Sequence, residues 1–268
     1  MDIFSLLEKY KLANVALSLE QERELIAEYI HSTNQLEGNT LTLAQTKSII
    51  DNGEVSGQNI KTRDILEQKG TYKALIRMMK AVAEQEPLSI ELMKELNWLT
   101  IGTLFQDDYY LSYKEKGQKF GDFKVKNNRI LITTSDGQQV FIEPLSTPEN
   151  VLLNMKMLIQ RIENSEKNVI EKAAFLAQEI WLNQPFIDGN KRTARLLINF
   201  MTMKEGFPLF TYDKKGAYFN DILVNQYTTG KAGLIQDFIT ESLENRIHEL
   251  LDLGNKKPQN FGGLRFML

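Results

Sequence analysis

Asn183-Gln-Pro-Phe-Ile-Asp-Gly-Asn-Lys-Arg-Thr-Ala-Arg195 joins two apolar stretches of helical spacing, Ile170–Trp181 and Thr193–Lys204. One helix has to stop and another start within it. Gly189 and Asn190 tolerate the left-handed backbone that a tight turn requires. The helix after them leaves its first N–H groups without intrahelical partners and turns the positive end of its dipole toward the loop. Together these make an anion pocket. Lys191, Arg192 and Arg195 add cations, and positions 192 and 195 share a helical face, so both reach one polyphosphate. Asp188, just ahead of the turn, is placed to hold a magnesium ion that phosphates also ligate. The plain alternative is a surface helix with a basic first turn. Cations there oppose the dipole, which speaks against basic residues placed for stability alone.

Outward from this segment, most of the chain carries the 3.6-residue period. Residues 19–31 place Leu19, Leu25, Ile26 and Ile30 on one face, ending at Ser32. Residues 64–84 run Ile65, Leu66, Tyr72, Leu75, Ile76, Met79 and Val82 through charged positions. Pro87-Leu-Ser89 offers a stop and an N-cap before a helix over Ile90–Leu104, and Leu152–Ile162 and Leu234–Leu251 add two more. Phe120–Ile142 differs. Val125, Ile130, Ile132, Val140 and Ile142 alternate, and Asp136-Gly137 sits between two such runs, so Gly121–Ile142 is predicted to form a β-hairpin or flap. Asp51–Lys61 reads as a surface loop and the stretch after Gly254 as a loosely held tail. The fold class expected is an all-α helical bundle with a short β-hairpin flap.

The chain has 268 residues, 42% hydrophobic and 25% charged, enough to bury a sizeable core and unlike a disordered or fibrous protein. It has no cysteine, which excludes disulfides, zinc–thiolate sites and cysteine nucleophiles. His31 and His248 alone argue against two-histidine metal ligation. Thirty-two basic against 35 acidic residues leave a charge of −3, with no general pull toward nucleic acid or an anionic membrane. No apolar run approaches a membrane span, and Met-Asp-Ile-Phe lacks the flanks of a secretory signal. A soluble, cytoplasmic protein is expected. Tyr109, Tyr110 and Trp98 read as core or interface aromatics, Lys114–Lys116 as a solvated loop, and Met155, Met157, Met201 and Met203 as core filler.

Residues 184–195 resemble the Fic (Fido) signature, His-Pro-Phe-x-Asp/Glu-Gly-Asn-Gly/Lys-Arg-x-x-Arg. Leu196-Leu-Ile-Asn, Gly206-Phe-Pro, Gly121-Asp-Phe-Lys124 with Ile130 and Ile132, and Leu36-Glu-Gly-Asn-Thr-Leu-Thr42 extend the resemblance over roughly residues 30–240. The resemblance implies transfer of AMP from ATP, with magnesium, to a hydroxyl of a target protein. It assigns Asp188 to the metal and Gly189, Asn190 and Lys191 to the phosphates. Arg192 and Arg195 become the phosphate-binding arginines, Phe186 a buried anchor, and Tyr218 a residue near adenine (a core tyrosine is the alternative). Gly121, Phe123, Lys124, Ile130 and Ile132 would form a target-docking flap. Thr33, Glu37 and Gly38 match the family's inhibitory pattern, in which the glutamate pairs with the second arginine, here Arg195, and keeps the γ-phosphate out. The bland reading of that pattern is a helix end before a glycine cap.

Two departures bear on activity. The family's catalytic histidine falls at Gln184, whose amide is not basic at neutral pH. A general base is worth about 10²–10⁴ in rate, roughly 3–5 kcal/mol. Lys191 stands where most AMP-transferring members have glycine; Doc toxins, which transfer the γ-phosphate, share that lysine. Doc motifs pair that lysine with a preceding alanine, whereas this chain retains Gly189, and many longer, Doc-unlike family members also carry the lysine. The resemblance therefore implies an AMP-transferase, with a Doc-like phosphotransferase and a catalytically silent nucleotide-binding module as alternatives. Three segments are expected: an inhibitory helical region over 1–85, a core over 86–210 with flap 121–142 and nucleotide loop 184–195, and C-terminal helices over 211–268. The expected partners are ATP and a target protein, without nucleic acid or membrane; a homodimer stays open.

Overall fold

Side-chain caps start several of the helices and fix where the chain turns. In the computed structural model, which describes residues 2–104, 110–134, 136–212, 216–229 and 233–255, α1 spans Ile3–Ala13, α2 Leu19–Gln35, α3 Leu43–Asn52 and α4 Thr62–Ala83. Then come α5 (Ile90–Ile101), a 3₁₀ turn (Gly102–Leu104), α6 (Leu111–Lys114), strands β1 (Ile130–Thr133) and β2 (Gln139–Ile142), α7 (Val151–Glu163) and α8 (Val169–Asn183). Helices α9 (Asn190–Lys204), α10 (Gly216–Thr229) and α11 (Leu234–Asn255) complete the order. Ser18 with Gln21, Thr42 with Gln45 and Asn168 with Glu171 form reciprocal capping boxes for α2, α3 and α8. Ser89 caps α5, as its position after Pro87 predicts.

Helix α9 is the axis. Every residue from Asn190 to Phe200 except Lys191 is buried, because α8, α4, α5 and α2 all pack against it. An apolar cluster runs from Ile3 to Ile247 and draws on all three expected segments of the chain. Among the described residues no helix is long and apolar enough to cross a membrane.

The fold is mostly helical with one antiparallel pair of strands among the described residues, in the register Ile130↔Ile142, Leu131↔Phe141, Ile132↔Val140. Several boundaries differ from expectation. Helix α2 continues to Gln35 rather than ending at Ser32, and Leu19 lies outside its buried face. Helix α9 starts at Asn190, three residues before the apolar period becomes visible. Met155 is buried but Met157 is exposed. Helices α1, α3, α6 and α10 escape the reading, and the helix expected over Ile90–Leu104 ends at Ile101 in a 3₁₀ turn. The strands are also short, and residues 121–129 are not part of them. The Gln118 amide donates to the carbonyls of Lys119, Asp122 and Phe123 and accepts from Val125 N, so one side chain satisfies backbone groups that a strand partner would otherwise take.

Candidate functional site

The loop after α8 is closed by its own side chains. Gln184 takes the left-handed conformation (φ 45°, ψ 60°) and caps α8, its N–H donating to Ile180 O. Its Nε2 donates to Trp181 O at 2.7 Å and its Oε1 accepts from Asn190 Nδ2 at 2.9 Å. Asn190 also accepts from Phe186 N at 2.9 Å and donates to Phe186 O at 2.8 Å. The Phe186 ring is fully buried beside Phe123. From α5, Asn97 Nδ2 donates to Asp188 O at 2.9 Å and to Thr193 Oγ1 at 3.1 Å. Gly189 adopts φ +75°, and a Cβ there would come within 2.9 Å of Asn97 and Ile101, so only glycine lets the loop press on α5. No side chain caps α9. Its first-turn N–H groups therefore have no capping side chain, which is the arrangement a helix N-terminus offers to an anion.

Charge gathers on this helix start. Arg192, 3% exposed, holds Nη1 3.4 Å from Glu67 Oε1 and Nη2 3.9 Å from Asp188 Oδ1. Its Nε and Nη1 have no hydrogen-bond acceptor. Arg195, 1% exposed, donates from Nε to Thr33 Oγ1 at 2.6 Å and from Nη2 to Thr33 O at 2.9 Å and Glu37 Oε1 at 2.7 Å. Lys191 Nζ lies 3.2 Å from Glu37 Oε2. Burial alone would push the Glu37 carboxyl up, but Lys191, then Arg195 and Arg192, overcome it and hold the group down at about 2. The carboxylate is charged at neutral pH.

The residues after Glu37 fasten it in place. Gly38 turns the chain at φ +87°. Asn39 Nδ2 then donates to Asp64 O at 2.9 Å and Glu67 Oε2 at 3.1 Å, while Thr40 N and Oγ1 both donate to Asp64 Oδ2. Asp188 presents a partly exposed carboxylate that accepts from Tyr110 OH and from Gly189 N, each at 2.5 Å. No group of three His, Cys, Asp or Glu suited to a metal occurs among the described residues. One carboxylate beside a basic helix start, where Arg192 Nε and Nη1 lack a hydrogen-bond acceptor, nonetheless fits magnesium, which commonly binds through one or two carboxylates plus phosphates and water.

Of the expected flap residues, Ile130 and Ile132 face the core, and Leu131 and Phe141, 49% and 66% exposed, face outward as cross-strand neighbours. Gly121 packs under Trp98, and Phe123 and Lys124 are buried. Lys124 N donates to Pro185 O at 2.8 Å and its Nζ to Asn183 O at 3.1 Å, so this stretch braces the motif loop. Burial pushes the Lys124 ammonium down to about 8. The side chain of Tyr218 lies outside the described residues. Asn39, Glu67, Asn97 and Asn128, whose Nδ2 donates to Phe186 O at 2.9 Å, also build the site. Asn39 lies within Leu36-Glu-Gly-Asn-Thr-Leu-Thr42, and the others carry no local signal. The Lys191–Glu37 pair was equally unforeseen.

Residues 87–202 match the Fic/DOC family model. Protein adenylyltransferase fic-1 of Caenorhabditis elegans is 29% identical over 194 residues, 69% of this chain and 33% of its own length. Protein adenylyltransferase Fic of Drosophila ananassae is 27% identical over 195 residues, 70% of this chain and 34% of its own. The chain thus spans about a third of the curated relatives it matches. Two solved structures share the fold. A Fic domain containing signaling protein from Bacteroides thetaiotaomicron has a TM-score of 0.79 at 24% identity, covering 98% of this chain and 100% of that one. Fic-1 from C. elegans has a TM-score of 0.75 at 22% identity, covering 93% and 69%.

Proposed function

We propose that this chain, which carries a Fic/DOC family domain over residues 87–202, is a protein adenylyltransferase that is held inactive by its own Glu37. The observation that carries the reading is the Glu37 carboxylate on Arg195 and Lys191. The basic start of α9 binds an anion, and the anion is the chain's own.

In this reading the uncapped N–H groups, Lys191, Arg192 and Arg195 hold the polyphosphate of ATP and offset the charge of transfer. Asp188 would hold magnesium, which neutralises charge between phosphates when bound. The hydroxyl oxygen of the target attacks the α-phosphorus, the bond to the pyrophosphate oxygen breaks so that pyrophosphate leaves, and the hydroxyl proton passes to water. Gln184 sits where a base belongs and takes up no proton at neutral pH. Turnover therefore falls by about 10²–10⁴ relative to a site with a base. The hairpin edge receives an extended target segment by backbone pairing, with Leu131 and Phe141 beside it. The absence of cysteine accords with work in the cytoplasm.

A nucleotide-binding module without transfer is the second reading. It is favoured by Gln184, whose amide is engaged at both ends in closing the loop. ATP labelled at the α- or the γ-phosphate, incubated with lysate and the Glu37→Gly, Gln184→His chain, separates the readings. Protein-bound α-label supports AMP transfer. Transfer of γ-label alone supports a Doc-like reaction, and ATP binding without either label on protein supports the module.

A further inference from the structure

Tyr110 lies outside the 183–195 segment, yet its hydroxyl donates to Asp188 Oδ2 at 2.5 Å. The ring does not depend on that bond for its place. It is buried in a small apolar cluster with Ile101, Leu104 and Phe120, meeting Phe120 edge-on at 4.9 Å, with Ile187 packed against the cluster. On the loop side, Gly189 N holds Asp188 Oδ1 and Asn97 holds its carbonyl. The carboxylate is thus pinned on both oxygens by groups anchored in different elements.

The alternative open to this carboxylate is Arg192, four residues on. Its Nη2 already lies 3.9 Å from Oδ1, and its buried Nε and Nη1 have no acceptor. Nη1 already forms a 3.4 Å ion pair with Glu67. A swing of the carboxylate would turn its own long ion pair with Arg192 into a direct charge-assisted hydrogen bond. It would also withdraw the carboxylate and the phosphate-binding cation together. We propose that Tyr110 is a positioning residue: its hydrogen bond holds Asp188 off Arg192, leaving the carboxylate to magnesium and the guanidinium to phosphate. The inference rests on the nucleotide reading above and deepens it. Partners one shell out from a metal ligand typically cost 10- to 100-fold in metal affinity or activity when removed.

Tyr110→Phe keeps the ring and deletes the hydroxyl. In the Glu37→Gly chain, calorimetry gives the affinity for ATP in excess magnesium chloride and in EDTA. The gain that magnesium confers should fall about 10-fold or more on Tyr110→Phe. In an Asp188→Asn background the same change should have no further effect, because the path runs through the carboxylate. A magnesium gain left intact, or an equal loss in both backgrounds, overturns the positioning role. ATP binding with no magnesium gain while Tyr110 is present also overturns it, with the phosphate site still standing. No ATP binding at all would overturn the functional reading as well.

Discussion

Replacing Glu37 by glycine removes the carboxylate that Arg195 and Lys191 now share, and the size of the effect follows from the charge balance around it. The carboxyl is 17% exposed and is held at about 2 against its ordinary 4.5. At 1.36 kcal/mol per unit, that depression is about 3 kcal/mol of preference for the charged form in the folded protein. The same interactions stand between the arginine and a phosphate. Their loss should raise the affinity for ATP with magnesium by about 10², since 1.4 kcal/mol is tenfold. The unliganded protein should move the other way. Arg195 keeps the Thr33 oxygens and the face of the Tyr212 ring but loses its carboxylate, and Lys191 loses its acidic partner, so the melting temperature falls, by roughly 2–4 °C per kcal/mol for a domain this size. Glu37→Gln separates charge from shape, keeping an acceptor for Arg195 without neutralising it. Calorimetry and thermal melting across the three proteins test the reasoning. ATP affinity unchanged in Glu37→Gly, with unchanged melting, would show that the pair restrains nothing.

Gln184→His together with Glu37→Gly should raise labelled-AMP incorporation about 10² or more over Glu37→Gly alone, because a positioned base helps only once ATP occupies the productive pose. The same histidine gives up the bonds to Trp181 O and Asn190 Nδ2, so melting should report a loss of about 1–3 kcal/mol at roughly 0.5–1.5 per bond. Because Glu37's folded value is depressed, its stabilisation is complete above 4.5 and is lost as pH falls through about 2. Glu37→Gln should therefore flatten that part of the acid unfolding curve, and an unaltered curve would count against the buried pair. On the hairpin, Phe141→Ser should weaken target capture while leaving stability within about 0.5 kcal/mol. Ile132→Ala, on the buried face, should cost about 2–5 kcal/mol in denaturant unfolding.

The gathering of charge at the α9 start was legible from the amino-acid order because it is contiguous. A turn, a helix N-terminus, one carboxylate and three cations fall within thirteen positions, and backbone geometry alone brings them together. Glu37 was legible through the pattern around it, and most long helices through their period and caps. Helix α9 began earlier than its period suggested because polar Asn190, Lys191 and Arg192 open it, and the hairpin was overread because one glutamine satisfies the backbone of the residues before it.

What the tertiary structure decided are the contacts between remote positions. Glu37 reaches Arg195 across 158 residues, Tyr110 reaches Asp188 across 78, and Glu67 approaches Arg192 from another helix. Each depends on how α2, α4 and α5 dock on α9 and on which turn of each helix faces inward. No local propensity encodes that placement. It is settled by burial of the apolar faces, and the polar side chains carried with them must then find partners in the space that remains.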